Sequence, residues 1–144
     1  MRPLVIVSER PEDADYKTIL RALVSYNDAT SEPSGYEPVG ILLRDHDSDE
    51  TIGGLWGKVS YDWLFVELLF VPEFLRRQKL GTQLMNAAGQ LARERKCVGV
   101  WLETYGFQAP AFYKTLGYEV FGQLPDHARG SGRFFLRKML AASV

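Results

Sequence analysis

Val71-Pro72-Glu73-Phe74-Leu75-Arg76-Arg77-Gln78-Lys79-Leu80-Gly81-Thr82-Gln83-Leu84 joins an apolar strand to an amphipathic helix through a basic turn. Pro72 has no backbone donor and ends strand pairing where it stands. Gly81, lacking a Cβ, lets a ligand come close to the backbone near the first helical turn. A helix start carries free N–H groups and partial positive charge, and Arg76, Arg77 and Lys79 add full charges beside it. The guest this suits is a phosphate or pyrophosphate.

The strand that feeds the turn, Trp63-Leu64-Phe65-Val66-Glu67-Leu68-Leu69-Phe70-Val71, is apolar at every position but Glu67, which reads as a central strand covered on both sides. Upstream of it, residues 39–44 and 51–60 form a hairpin about the turn 46–50, with Gly53 and Gly54 marking a bulge and Tyr61-Asp62 a tight turn. Residues 29–38 are a loop. Earlier still, the β-branched run 4–7 predicts a first strand. A helix follows Pro11, with Glu12, Asp13 and Asp15 in its first turn. Ile19, Leu20, Leu23 and Val24 recur at helical spacing, a stripe for packing on a sheet that ends in fraying near Asn27.

Downstream, Leu80, Leu84, Ala88, Leu91 and Ala92 define one helix face, ending near Lys96 among basic residues. Residues 98–104 read as a strand, 109–116 as a short helix closed by Gly117, and 118–124 and 133–139 as two last strands around the loop 125–130. The order implies one domain over 1–144 of α/β class, with a mixed, largely antiparallel sheet and helices on both faces.

With 46% hydrophobic and 24% charged residues the chain is neither disordered nor fibrous, and a net charge of −1 argues against a nucleic-acid binder. No apolar run approaches the roughly 20 residues of a membrane span, and the N-terminus does not read as a signal peptide. Cys97 is the lone cysteine, which excludes an intrachain disulfide and fits a reducing, cytoplasmic compartment. It reads as a core or helix-end residue, with Arg93, Arg95 and Lys96 as neighbours that would lower its pKa. His46 and His127 have no metal-site spacing, so no metal is expected. A homodimer stays open.

The basic turn resembles the acetyl-CoA signature of the GNAT superfamily of N-acetyltransferases, V-x-P-x-x-R/Q-x-x-G-x-G/A. The strand end is Val71-Pro72, the Arg/Gln position Arg76 and the second Gly is Gly81; Lys79 replaces the first Gly. A second stretch, Ala109-Pro110-Ala111-Phe112-Tyr113-Lys114-Thr115-Leu116-Gly117-Tyr118-Glu119, resembles the superfamily's A-x-x-x-Y-x-x-x-G-F/Y. The two motifs stand at a family-like separation.

The resemblance implies an acetyl-CoA cleft splayed between the fourth and fifth predicted strands, 63–71 and 98–104. Pantetheine would lie along Phe70 and Val71, and amides near Leu69 and Phe70 would polarise the thioester carbonyl. The loop Arg76, Arg77, Gln78, Lys79, Leu80, Gly81 and Thr82 would hold the pyrophosphate. Tyr113 would protonate the departing thiolate, since a phenol of pKa roughly 10 keeps its proton at neutral pH. Glu67 matches the position of a catalytic glutamate in some members; among Phe65, Val66, Leu68 and Leu69 it should be partly desolvated, with a raised pKa. A structural salt bridge or hydrogen bond is the rival account of Glu67. The family's Asn seven residues before the Tyr is Gly106 here, with Gln108 as a substitute contact.

The implied activity is acetyl transfer from acetyl-CoA to a primary amine, small or polypeptide, by direct attack. A non-catalytic acyl-CoA-binding module is the alternative, favoured by Lys79 and Gly106. For the acceptor, Trp56, Tyr61, Trp63 and Tyr105 are candidate pocket aromatics and Glu32, Glu37 and Asp126 candidate partners for a cation.

Overall fold

The computed structural model describes residues 1–108, 110–126 and 129–141, so Ala109, His127 and Ala128, which figure in the readings above, lie outside the described residues. The chain falls into two compact units, Met1–Ser34 and Gly35–Val144.

In the first unit the expected strand at 4–7 does not form. β-Branched residues supply propensity only, and a strand also needs a partner edge, which no described strand gives it. Helix α1 spans Asp13–Thr30. The Glu12 N–H donates to Asp15 Oδ2 at 3.0 Å, and Asp13 and Lys17 form an exposed i,i+4 ion pair worth a few tenths of a kcal/mol. The helix runs past Asn27, as the hydroxyls of Thr30 and Ser31 donate back to the carbonyls of Tyr26 and Asn27. Ile19, Leu20, Leu23 and Val24 form the expected stripe, although this unit, taken by itself, holds no sheet for it to cover.

The second unit is a six-stranded sheet in the order β1-β2-β3-β4-β6-β5. Its strands are β1 (Glu37–Arg44), β2 (Thr51–Ser60), β3 (Trp63–Phe70), β4 (Gly99–Tyr105), β5 (Glu119–Leu124) and β6 (Arg133–Met139). Only β3 and β4 are parallel neighbours. They are linked through α2 (Leu80–Glu94), and α3 (Pro110–Thr115) follows β4. Leu84, Met85, Ala88 and Ala92 of α2 and Tyr113 of α3 join one core with Val39, Leu55, Leu64, Val66, Val100, Leu102 and Leu136. Cys97 is part of this core, and burial pushes its thiol pKa up, against the lowering expected from its basic neighbours.

The hairpin β1–β2 carries its irregularity beside Gly53, where Leu43 pairs with Gly53 but Arg44 with Thr51. A second one decides the architecture. Trp56 pairs with Leu68 and Gly57 with Val66, leaving Glu67 as the extra residue of a bulge in β3. Inward positions run Leu64, Val66 and then Leu69, so the alternation slips by one at Glu67. Leu68 and Phe70 are turned outward, 61% and 56% exposed, and the strand is not covered on both sides as its apolar sequence suggests. Gly57 permits the bulge: a Cβ there would stand 2.2 Å from the Phe65 carbonyl oxygen.

The basic turn is built on two left-handed residues, Arg77 at φ 69° and Lys79 at φ 61°. Lys79 is the helix-preceding residue of α2 and keeps the backbone shape that a Gly would give it, at a cost of about 1 kcal/mol. At the far end Lys96, φ 58°, closes α2, with the Cys97 N–H donating to the Ala92 carbonyl at 2.9 Å.

Two substitutions test this account by urea unfolding. Gly57→Ala should lower stability by more than ~2 kcal/mol, because the added methyl meets backbone that cannot move without breaking the β2–β3 register. Lys79→Gly should leave stability unchanged or raise it by up to ~1 kcal/mol, whereas the β-branched Lys79→Val should lower it by ~1–2 kcal/mol.

Candidate active site

β3 and β4 pair only from Trp63↔Gly99 to Val66↔Leu102. Beyond that point β3 stays with β2 as far as Phe70, while β4 stays with β6 out to Tyr105↔Arg133. The strands part in a wedge, and among the described residues the edge of β3 from the bulge onward has no strand partner on that side. Two adjoining hollows occupy the wedge, of about 550 and 720 Å³, sharing Leu69, Phe70, Arg76, Gln108 and Tyr113.

The smaller hollow is bounded by Val71, Arg77, Lys79, Leu80, Gly81 and Thr82 as well. The first main-chain bond of α2 runs from Gln83 N–H to the Lys79 carbonyl, so the preceding amides have no acceptor inside the helix. No side chain caps them and no acid stands in the first turn. Arg76 Nε donates to the Val71 carbonyl at 3.0 Å, tying the turn to the end of β3. Gly81 faces α3: a Cβ on it would come within 3.3 Å of Phe112 Cζ, so its smallness seats the Phe112 ring as well as opening the backbone. Gln78 is exposed and lines neither hollow.

Tyr113 stands where the hollows meet. Only 9% exposed, its ring lies edge-on to Phe112 at 5.1 Å and to Tyr118 at 6.2 Å. Burial pushes the phenol above its usual pKa, so it holds its proton at neutral pH. Among the described residues its hydroxyl has no hydrogen-bond partner. Gln108 Oε1 accepts from the Tyr105 N–H at 3.0 Å, fixing the turn after β4.

Glu67 lines the larger hollow with Glu103, but it is exposed. The partial desolvation expected of it is absent, because this side of β3 is uncovered. No described residue forms a salt bridge with it, whereas Glu103 is ion-paired with Arg133. Gly106 stands where the family pattern has Asn because a Cβ there would lie 2.0 Å from the Ser131 carbonyl oxygen.

The candidate acceptor aromatics divide. Tyr61 and Trp63 line a separate apolar hollow of about 420 Å³ with Trp101 and Phe121, and Trp56 is exposed on β2. Tyr105 stacks on Phe107, centroids 5.3 Å apart. Glu37 is committed to Arg95 through two hydrogen bonds of 2.9 Å, which hold its carboxyl below the usual range. Asp126 lines neither hollow of the wedge, and Glu32 belongs to the first unit. Sequence reasoning missed Phe107, Phe112 and Leu68. Phe112 lies inside a quoted motif, and Leu68 was hidden by an apolar run whose phase slip has no sequence marker. Among the described residues no cluster of three or more His, Cys, Asp or Glu side chains suits a metal, and no helix is long and apolar enough to cross a membrane.

The chain is 33% identical over 133 residues to the acetyltransferase Atu2258 of Agrobacterium fabrum, covering 92% of this chain and 96% of that one. It is 41% identical over 92 residues to the blasticidin-S acetyltransferase of Streptomyces morookaense, covering 63% and 68%. The crystal structure of an acetyltransferase candidate from Agrobacterium tumefaciens superposes with a TM-score of 0.91 at 31% identity, covering 96% of this chain and all of that one. Residues 8–118 match the model of the Acetyltransferase (GNAT) family, and the chain belongs to that family.

Proposed function

We propose that residues 1–144 act as one cytoplasmic N-acetyltransferase domain, which passes an acetyl group from acetyl-CoA to a primary amine by direct attack in a ternary complex. The observation that carries this reading is the buried Tyr113 phenol, without a hydrogen-bond partner among the described residues, at the junction of a cationic, amide-lined hollow and an open one bearing Glu67. The first hollow supplies what a pyrophosphate needs: free helix-start N–H groups with Arg77 and Lys79 beside them. The edge of β3 at Leu69 and Phe70, without a strand partner among the described residues on the β4 side, offers strand-like hydrogen bonding to pantetheine.

In the reaction the neutral amine nitrogen attacks the thioester carbonyl, the carbon–sulfur bond breaks, and the nitrogen sheds its extra proton to solvent as the amide forms. Tyr113 gives its proton to the leaving thiolate and regains one from solvent. Glu67 draws in the ammonium and takes its proton, directly or through water, so that a neutral amine attacks. Main-chain N–H groups near Leu69 and Phe70 are the groups suited to the developing oxyanion. The non-catalytic module drew its support from Lys79 and Gly106. Both have conformational accounts, the left-handed backbone kept by Lys79 and the Ser131 carbonyl against Gly106, so neither signals lost turnover.

Calorimetry with CoA tests the first hollow. Gly81→Val should weaken binding at least ~10-fold, through the displaced Phe112 ring and the crowded helix start, and Lys79→Ala should weaken it less, with the difference fading at high salt. Thiol-release kinetics test the chemistry. Tyr113→Phe should retain CoA affinity and lose ~10²–10⁴-fold in turnover. Glu67→Gln should abolish the acidic limb of the pH–rate profile; wild-type turnover in Tyr113→Phe, with chemistry rate-limiting, would end the acid role.

A further inference from the structure

The larger hollow sets exposed apolar side chains among polar ones such as Thr104 and Gln108. Phe107 is 68% exposed there, and Leu68 and Phe70, two apart on β3 and therefore on one side of the strand, are also mostly uncovered. Large apolar side chains grouped around a concave site mark a ligand contact more than a solvated surface. Phe107 does not stand alone: its ring lies nearly parallel to that of Tyr105, 11° between planes, and the Arg133 guanidinium lies 5.6 Å from the Tyr105 centroid. The stack presents a flat π face of low conformational freedom.

The charges of the hollow are just as particular. Of its two carboxylates, Glu103 is compensated by Arg133, which also lies 5.8 Å from the Phe135 ring centroid. Glu67 is left as the uncompensated anion among the described residues lining the hollow. Arg76 belongs to both hollows and so stands at their boundary, on the side of the cationic turn. One free negative charge beside exposed aromatic and aliphatic surface is complementary to one positive charge on an apolar body.

Resting on the acetyl-transfer reading above, we infer that the acceptor is a monocationic amine carrying a flat aromatic or heteroaromatic ring. Its ring lies against Phe107, with Leu68 and Phe70 as further apolar cover, and its ammonium lies at Glu67 within reach of the Tyr113 side of the wedge. Polyhydroxylated amino sugars fit poorly, because they offer no flat π face to the exposed Phe107 ring. Polyamines fit poorly too: a second cation finds Glu103 already taken.

The test compares tryptamine, glucosamine, spermidine and a Ser/Gly-rich tetrapeptide with a free N-terminus as acceptors, at saturating acetyl-CoA, for the wild type and Phe107→Ser. Tryptamine should have the highest kcat/KM. Phe107→Ser should raise its KM about 10-fold, the scale of one lost aromatic contact, with kcat, CoA affinity and the KM of glucosamine unchanged. A merely structural role for Phe107 would instead lower all four substrates together, and that result overturns the inference. So does glucosamine, spermidine or the peptide outperforming tryptamine. If no amine is acetylated although CoA binds, the transfer reading fails, and calorimetry of tryptamine with the CoA-loaded protein still judges the site. Binding weakened by Phe107→Ser supports it, and absent binding overturns it.

Discussion

The parting of β3 from β4 after the Val66↔Leu102 pair is the constraint on which the rest of the site depends. Two parallel strands in mid-sheet would normally stay bonded to their ends, because an unpaired buried peptide group costs about 1–3 kcal/mol. Here the loss is confined to the last four residues of β3, and it follows from one extra residue. The bulge at Glu67 breaks the regular run of β3, and Gly57, with no Cβ to strike the Phe65 carbonyl, is the partner that lets the two strands close over it. The wedge is therefore built by local covalent economy, a residue added on one strand and a side chain removed from the other.

From that opening the electrostatic arrangement follows. β3 delivers the chain to a turn whose left-handed residues, Arg77 and Lys79, reverse it into α2 with the helix-start amides facing no capping group. Had a Ser or Asp preceded α2, its oxygen would satisfy those donors internally. Lys79 cannot, and the omitted cap is what keeps the site available to an external anion. Arg76 contributes through its bond to the Val71 carbonyl, which fixes the turn to the strand end, so its role is split between charge and scaffold.

The hairpin β1–β2, the tight turn at Tyr61-Asp62, the span of α2 and the two closing strands were legible in the sequence because each is marked locally, by Gly, by alternation or by a 3.6-residue period. The basic turn was legible for the same reason, since Pro72, the cations and Gly81 sit within a few residues of each other. What was not legible depends on partners distant in sequence. The run 4–7 looks like a strand and is not paired. Nothing in Trp63-Leu64-Phe65-Val66-Glu67 announces that the inward phase slips at the glutamate, because apolar residues on both sides of it satisfy either phase. The outward aim of Leu68 and Phe70 is hidden by that one ambiguity, whereas the exposure of Glu67 depends on what covers its face of the strand. Gly106 could be seen as a departure, but its cause, the Ser131 carbonyl, lies 25 residues downstream.

The same slip explains why a single strand can serve two hollows of opposite character. Before the bulge, Leu64 and Val66 belong to the core; after it, Leu69 keeps that role while Leu68 and Phe70 are released to the larger hollow. In an unbulged strand Leu68 would take the next inward position and Glu67 would share the outward face of Phe65. Inserting the charged residue as the extra one places a carboxylate on the open edge of the sheet without burying it. Tyr113 makes the opposite choice: its phenol is buried, so its proton is retained. An exposed carboxylate and a buried phenol thus stand on either side of one wedge, and each environment is set by backbone geometry rather than by a neighbouring charge.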